Sequence, residues 1–366
     1  MKSNTLTLLA CGDVGPIHEP ISSYSELVKS TLHSADIRIG QVERVYSERG
    51  SLQLHSGGAH SRLKPSMSSV FKDCGFNVLS IASNHAMDWG TDALLDTIEL
   101  FRNQGFQIIG AGSNLEEARR PAIINCNGIK VAVLAYCSVL NDGYAATDHK
   151  AGVSPLRAHT FYEPIEYQPG VPPRVVTVPY ADDLQGMIDD IANAKKFSDA
   201  VVVSHHWGIH YIPRMIADYQ LITAKAAFAS GADLIIGHHA HVPKAIEVYN
   251  GKACFYSLSN FIMSAPERSL QSKADFSRKY GAILDPDYPN LPYGTDAKRS
   301  LIAKAIISKK GVDRVSFLPL LIDRQLRPEI LRGGDTRFDD MFQYMDWASE
   351  GYNHNFKIDG DEVVIT

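Results

Sequence analysis

The chain has 366 residues, of which 45% are hydrophobic and 21% charged, and its formal net charge is −5. This is the composition of a globular protein large enough to bury a sizeable core, and it favours neither a nucleic-acid-binding nor a membrane-surface protein. The five cysteines are odd in number and lack a CxxC spacing, which indicates reduced thiols of a cytoplasmic protein. The opening apolar run is too short for a secretory leader, and we expect no membrane anchor.

The first part of the chain alternates predicted strands with predicted helices. The strands are predicted over residues 5–11, 36–39, 77–82, 107–110 and 131–136, and the helices over residues 24–34, 65–74 and 91–104. Thr91 is the expected N-cap of the last of these helices. The alternation predicts an α/β core in which most strands are parallel.

The second part of the chain is less regular. Residues 141–179 hold six prolines and little periodicity, which predicts a long surface loop. Further elements are predicted as helices over 180–197, 218–230 and 338–350, strands over 200–204, 233–236, 254–258 and 362–365, and a hairpin of 301–307 with 312–318. Residues 264–300 are predicted as a second loop. We therefore expect a core domain over 1–263 and an extension packed on it over 264–366.

Polar groups follow five of the predicted strands. They are Asp13, Glu43, Asn84 with His85, His205 with His206, and His239 with His241. In α/β folds such strand ends collect at the edge where ligands bind. Any one of these groups has an ordinary explanation as a turn or a hydrogen-bonded histidine. Together they offer carboxylate, amide and imidazole ligands, a mixture that suits Mn²⁺, Fe²⁺ or Zn²⁺.

Seven motifs, in order, resemble those of a known family. They are GDV at 12–14, QVE at 41–43, ASNHAMDWG at 82–90, GAGSNLEEA at 110–118, HHWGIHY at 205–211, GHHAHVPKAIEVYNGK at 237–252 and FYSLSNF at 255–261. The chain resembles the CapA family of poly-γ-glutamate capsule synthesis proteins, which carry a PGA_cap domain and are similar to calcineurin-like metallophosphoesterases. The resemblance implies a four-layer αββα sandwich with a C-terminal α+β extension and a two-metal centre.

The resemblance also implies roles for individual residues. Asp13 and His241 would bind one metal ion, Asn84, His206 and His239 would bind the second, and Glu43 would bridge the two. His85 would act as general acid with Asp88 orienting it, and we assign His205, His210 and Arg44 to substrate binding. The chain lacks the histidine that many phosphoesterases place two residues after the first aspartate, so His18, His55 or His60 replaces it or the first site is weak.

Three functions are compatible with this set of residues. The first is a hydrolase that uses a hydroxide held by two metal ions to attack a phosphoester. The second is a hydrolase of an amide or γ-glutamyl bond, or another protein of poly-γ-glutamate metabolism, since the same nucleophile can attack a carbonyl. The third is a metal-binding protein without catalysis. The expected partner in the first two cases is a small-molecule or γ-glutamyl substrate.

Overall fold

Two mixed β-sheets pack face to face, and helices cover their outer faces. The computed structural model describes residues 4–54, 56, 58–167 and 170–366. Within these residues the larger sheet has ten strands: β1 (Thr5–Gly15), β2 (Ile37–Val42), β5 (Val78–Ser80), β6 (Gln107–Ile109), β17 (Asn260–Met263), β18 (Arg299–Ser308), β19 (Gly311–Ile322), β20 (Pro328–Ile330), β21 (Phe356–Asp359) and β22 (Glu362–Ile365).

The smaller sheet faces the inner side of the larger one. Its strands are β8 (Ala122–Cys126), β9 (Ile129–Cys137), β13 (Ala200–His206), β14 (Leu234–His238), β15 (Ile246–Tyr249) and β16 (Lys252–Phe255). Three short pairs lie outside both sheets: β3 (Val45–Tyr46) with β4 (Arg62–Leu63), β7 (Ala111–Gly112) with β10 (Gly152–Val153), and β11 (Ala158–Glu163) with β12 (Arg174–Pro179).

The helices complete the layers. They are α1 (Lys29–His33), α2 (Ser69–Asp73), α3 (Gly90–Asn103), α4 (Leu115–Ala118), α5 (Ala181–Lys195), α6 (Asp218–Ser230), α7 (Leu270–Tyr280) and α8 (Thr336–Ser349), with 3-10 turns at Ile21–Ser25, Ala59–Ser61, Pro65–Ser68 and Thr295–Lys298. Met187 and Ile191 of α5 pack with Val201 and Val203 on the outer face of β13. The inner faces of the two sheets share one apolar core. The predicted α/β sandwich is confirmed.

The central strands are apolar along nearly their whole length because they are covered on both faces. β13, with the sequence AVVVSHH, is buried at every position and runs parallel to both β9 and β14. β1 is parallel to β2 on one side. The carboxyl ends of these parallel strands carry the polar residues that the sequence singled out.

Residues 264–366 form the predicted mixture of helices and strands. β18 pairs antiparallel with β1, from Thr5 opposite Ser308 to Ala10 opposite Ala303. β19 continues the larger sheet beyond β18. The larger sheet therefore runs across residue 263, and the division of the chain at that point stays a prediction.

Several local predictions were wrong. The expected loops 141–179 and 264–300 contain the β11–β12 hairpin and helix α7, whose largely polar or exposed residues hide the usual periodicity. The expected helix over 24–34 is a 3-10 turn followed by the short α1. Helix α3 begins at Gly90 with Trp89 as its N-cap, not Thr91. The hairpin of β18 and β19 is confirmed.

Two further features bear on the sequence predictions. All five cysteines are free thiols, and only Cys126 among them is not fully buried. Within the described ranges, no helix combines the length and the apolar character needed to cross a bilayer.

Candidate metal centre

Strand ends from both sheets meet at one edge of the sandwich and bring together a buried group of acids and histidines. Asp13 lies near the carboxyl end of β1, Glu43 directly follows β2, and His206 ends β13. One potential ligand atom from each of these three residues lies within 4.8 Å of the other two. All three side chains are buried, so their polar atoms need partners inside the protein.

Glu43 occupies the middle of the group. Its Oε2 lies 3.7 Å from His206 Nε2, and its Oε1 lies 3.8 Å from His85 Nε2 and 3.9 Å from His241 Nε2. These separations are too long for direct hydrogen bonds. Ser83 Oγ lies 3.1 Å from Oε2 and is placed to donate to it.

The group contains several buried polar atoms that lack a hydrogen-bond partner among the described residues. They are Asp13 Oδ1, Glu43 Oε1, His206 Nδ1 and His239 Nδ1, with both ring nitrogens of His238. Orphaned buried acceptors are costly, and a bound cation removes that cost. Oxygen and imidazole donors in this number fit divalent transition metals.

The charge states of Asp13 and His206 suit metal binding. Burial raises the pKa of Asp13, but the facing imidazoles of His238, His206 and His241 outweigh it and leave that pKa below its usual value. Burial and the nearby charge of Asp13 hold the pKa of Glu43 well above its usual range. Burial lowers the pKa of His206 to about 3, so this imidazole is neutral, as a metal ligand must be.

Two imidazoles of the group, those of His206 and His241, are each hydrogen-bonded to the side-chain amide of an asparagine. Asn84 Oδ1 lies 2.7 Å from His206 Nε2, so two of the three predicted ligands of the second metal lie side by side. His241 Nδ1 donates to Asn260 Oδ1 at 2.7 Å, which leaves Nε2 as the free nitrogen facing Glu43. Asn260 is fixed in turn by donating to the carbonyls of His241 and Ala297 at 3.1 and 3.0 Å. Such outer partners orient metal-binding imidazoles.

His85 lies at the margin of the group, beside its own acid. Its Nδ1 donates to Asp88 Oδ2 at 2.7 Å, because an ionised carboxylate can only accept. Asp88 is fully buried and also accepts from the Tyr144 hydroxyl at 3.1 Å. The His85 side chain is 23% exposed, which distinguishes it from the buried histidines around it. His85 Nε2 can therefore meet a bound molecule.

A cavity of about 550 Å³ opens beside His85. Arg44 and His210 line it, and the His210 ring lies 3.9 Å from that of His239. Arg44 is buried and donates to the carbonyls of His60 at 3.1 Å and Ser264 at 2.5 Å. His205 is not among the residues that line the cavity: it is fully buried and stacks 4.3 Å from Trp207. The substrate-binding roles assigned to these three residues stay predictions.

The sequence offers His18, His55 and His60 as replacements for the missing first-site histidine. His60 lines the cavity, and burial, helped by the charge of Arg44, lowers its pKa to about 4. His18 is not among the cavity-lining residues, and His55 lies outside the described residues. His238 Nδ1, by contrast, lies 3.4 Å from Asp13 Oδ1. Sequence reasoning passed over His238 because the HxH spacing drew attention to His239 and His241.

The backbone around the group is strained. His239, His241 and Ser259 have φ angles of 88°, 57° and 71°, in the left-handed region that favours glycine. Strain of this kind concentrates at functional sites. Gly12 is needed for a different reason: a Cβ at this position would lie 2.1 Å from the carbonyl oxygen of Ser259. The end of β1 and the loop before β17 can approach only with glycine there.

Comparison with known proteins agrees with the motif pattern. Residues 7–265 match the family described as bacterial capsule synthesis protein PGA_cap. The chain is 33% identical to the PGA biosynthesis protein CapA of Bacillus subtilis (strain 168), over 66% of this chain and 56% of that protein. It is 28% identical to the capsule biosynthesis protein CapA of Bacillus anthracis, over 71% of this chain and 60% of that protein. The chain thus spans less than two thirds of either relative.

Among solved structures, the chain is similar to the calcineurin-like phosphoesterase YfkN from Bacillus subtilis. It shares 12% sequence identity and a TM-score of 0.38, with 94% of this chain and all of that chain covered.

Proposed function

The chain belongs to the PGA_cap family of bacterial capsule synthesis proteins, and we propose that it is a metal-dependent hydrolase that cleaves a phosphoester. One observation carries this proposal. A buried group of acids and histidines with unpaired acceptor atoms lies directly beside the partly exposed His85, which is hydrogen-bonded to the buried Asp88 and lines a cavity. Metal ligands and a positioned proton donor on one cavity are the two requirements of this chemistry.

The proposed ligands of two divalent ions (Mn, Fe or Zn) are Asp13, Glu43, Asn84, His206, His239 and His241. Such ions supply Lewis acidity and lower the pKa of a bound water. Asp13 contributes a carboxylate that stays ionised, and Asn84 contributes a neutral oxygen. Asn260 holds His241 in the tautomer whose free nitrogen is Nε2.

His85 is the proposed proton donor to the leaving group. Asp88 accepts the Nδ1 proton, which fixes the ring and places the second proton of the imidazolium on Nε2. Nε2 is the nitrogen that faces Glu43, 3.8 Å away, at the exposed margin of the group. Tyr144 donates to the other oxygen of Asp88 and so keeps this pair in place.

The test is metal content and hydrolysis of p-nitrophenyl phosphate, measured on the wild-type chain and three variants. Asp13→Ala should lose both metal and activity. His85→Ala should keep its metal and lose about 10²–10⁴-fold in kcat. His149→Ala, at an exposed histidine outside the cavity, is the matched control and should resemble the wild type. A metal-replete wild-type protein that is inert on every phosphoester tested would overturn the proposal.

Hydrolysis of a γ-glutamyl or other amide bond is the second candidate. It is favoured by the name of the Bacillus subtilis relative, which refers to PGA biosynthesis, and by Arg44, a cation at the cavity with no ion-pair partner among the described residues. Release of glutamate from γ-linked glutamyl peptides, abolished in His85→Ala, would establish this activity. Bound metal without turnover of either substrate class would leave metal binding alone as the function.

A further inference from the structure

The cavity at the metal centre is built from two parts of the chain. Glu43, Asn84, His85 and His241 line it from within the region matched by the family, which ends at residue 265. Eight further lining residues belong to residues 266–293, here called the wall segment, which lies beyond that match. The family match thus covers the side of the cavity that carries the proposed metal ligands, and the wall segment lies outside that match.

The wall segment is packed directly against the metal centre. Tyr293 stacks on the ring of His241, with 4.2 Å between the ring centroids and 13° between the planes. Tyr280 of α7 meets the ring of Tyr211 at 4.8 Å, and Tyr211 is itself held in a left-handed conformation with φ of 62°. A molecule in the cavity would therefore contact the metal centre and the wall segment at the same time.

Arg268 is the exceptional residue of the wall segment. Its Nε donates to the carbonyl of Pro292 at 3.2 Å, and its guanidinium carbon lies 4.6 Å above the ring of Phe276. These two contacts fix the guanidinium without using its terminal amines. Across the described part of the chain, no acid forms an ion pair with Arg268, and the adjacent Glu267 pairs with Lys273 at 2.8 Å instead.

An oriented arginine without an acid partner, on the lining of a cavity, is suited to bind an oxyanion through two parallel hydrogen bonds. Arg44 adds a second positive charge to the same cavity, and it too has no ion-pair partner among the described residues. The described lining carries one further acid besides Glu43, the neutralised Glu267. The cavity therefore favours a molecule with negative charge away from the metal centre.

We propose that the wall segment selects the substrate, by binding through Arg268 an anionic oxyacid group other than the one that is cleaved. The inference rests on the proposed hydrolase function and adds a substrate class to it: molecules with a second carboxylate or phosphate. Arg268 is a specificity-determining residue in this account.

The experiment is calorimetric titration of the metal-loaded 366-residue chain with two probes, glutarate and inorganic phosphate. Arg268→Gln should weaken binding of the preferred probe by at least about tenfold, because a charge-assisted bidentate contact is lost. Arg268→Lys should recover part of the affinity, since lysine restores the positive charge but not the two parallel N–H donors of the guanidinium. Arg278→Gln is the matched control: Arg278 lies on the same α7, is 81% exposed and pairs with Asp275, and its loss should change neither affinity.

The probe whose binding depends on Arg268 identifies the second group as a carboxylate or a phosphate. Equal affinities of the wild type and Arg268→Gln for both probes would overturn the inference, as would absence of binding to the wild type. Failure of the proposed function is separate: the wild type would then cleave neither p-nitrophenyl phosphate nor γ-glutamyl peptides, whatever the titrations show.

Discussion

Individual side chains at the metal centre divide into those that would hold ions and those that orient them. Asp13, with a lowered pKa, and His206, with a pKa lowered to about 3, are in the protonation states that metal binding needs. Asp88 and Asn260 are hydrogen-bonded to the imidazoles of His85 and His241 and orient them. Replacing a ligand should therefore remove the metal and the activity, whereas replacing an orienting residue should lower the activity and leave the metal bound.

Asp88→Asn should lower kcat by about 10–100-fold while leaving metal content near that of the wild type, because the amide no longer fixes the His85 tautomer. Steady-state kinetics and metal analysis on the same preparations would measure both. The control is Asp92→Asn, an exposed acid in the first turn of α3. Loss of metal in Asp88→Asn would show that Asp88 is a ligand, contrary to its placement.

Lys244 offers a pH-dependent test away from the ligands. Its Nζ is buried and donates to the carbonyls of Ile212 and Met215 at 2.6 and 2.7 Å, which ties down the loop bearing His210. Burial lowers its pKa from 10.5 to about 7. Below pH 7 Lys244 is protonated in both the folded and the unfolded chain, so the full free-energy cost of burying its charge opposes folding. Between the two pKa values the unfolded chain binds more protons, so this residue's contribution to stability rises with pH.

The free energy of unfolding of the wild type minus that of Lys244→Met should therefore increase between pH 6 and pH 9.5. Urea unfolding at several pH values measures it. Lys225→Met, at an exposed lysine of α6, should show no such trend. A difference that is flat or falls with pH would contradict the assignment.

At the scale of single elements, the sequence predicted the strands of the two sheets more accurately than the segments that connect them. β1, β9 and β13 were found because their continuous apolar runs end in polar residues. Helix α7 was missed because only Phe276 is buried along its length, so it has almost no apolar face. The contacts that α7 makes with residues around the cavity, and not its local sequence periodicity, determine that this segment is helical.

The junction between β1 and the loop before β17 should tolerate no side chain at Gly12. Gly12→Ala would force Cβ into the Ser259 carbonyl, so we expect a loss of about 3 kcal/mol of stability and much weaker metal binding. Gly251→Ala is the control, since that turn glycine has open space around it and only its φ of 79° opposes substitution. It should cost about 1–2 kcal/mol and leave metal affinity unchanged. Equal metal affinity in the two variants would refute the account of this junction.

At the scale of the whole molecule, the larger sheet contains strands from both the first and the last part of the chain. β18 covers the edge of β1 along six residue pairs, from Thr5–Ser308 to Ala10–Ala303. A chain ending at residue 263 would expose that edge together with the apolar core beneath it. We expect this truncated chain to give no cooperative thermal transition in circular dichroism, whereas the full chain does. A cooperative transition in the truncated chain would establish 1–263 as an independent domain.

The family and the strand-end residues could be predicted from the sequence because they lie in short motifs at element ends. The geometry brings Asp13, Glu43 and His206 together as those motifs suggested. The position of His238 beside Asp13, the buried stacking of His205 and the role of Asn260 depend on side-chain directions that the sequence does not encode locally. Arg268 could not be found at all, because it matters only through the fold that places it at the cavity.

Anomalous X-ray scattering from crystals of the 366-residue chain, recorded at the absorption edges of manganese, iron and zinc, tests the presence of a metal centre most directly. We expect peaks within ligand distance of Asp13, Glu43 and His206, and their loss in Asp13→Ala crystals. An anomalous map with no peak at these residues, from protein crystallised with added metal, would contradict the assignment of a metal centre.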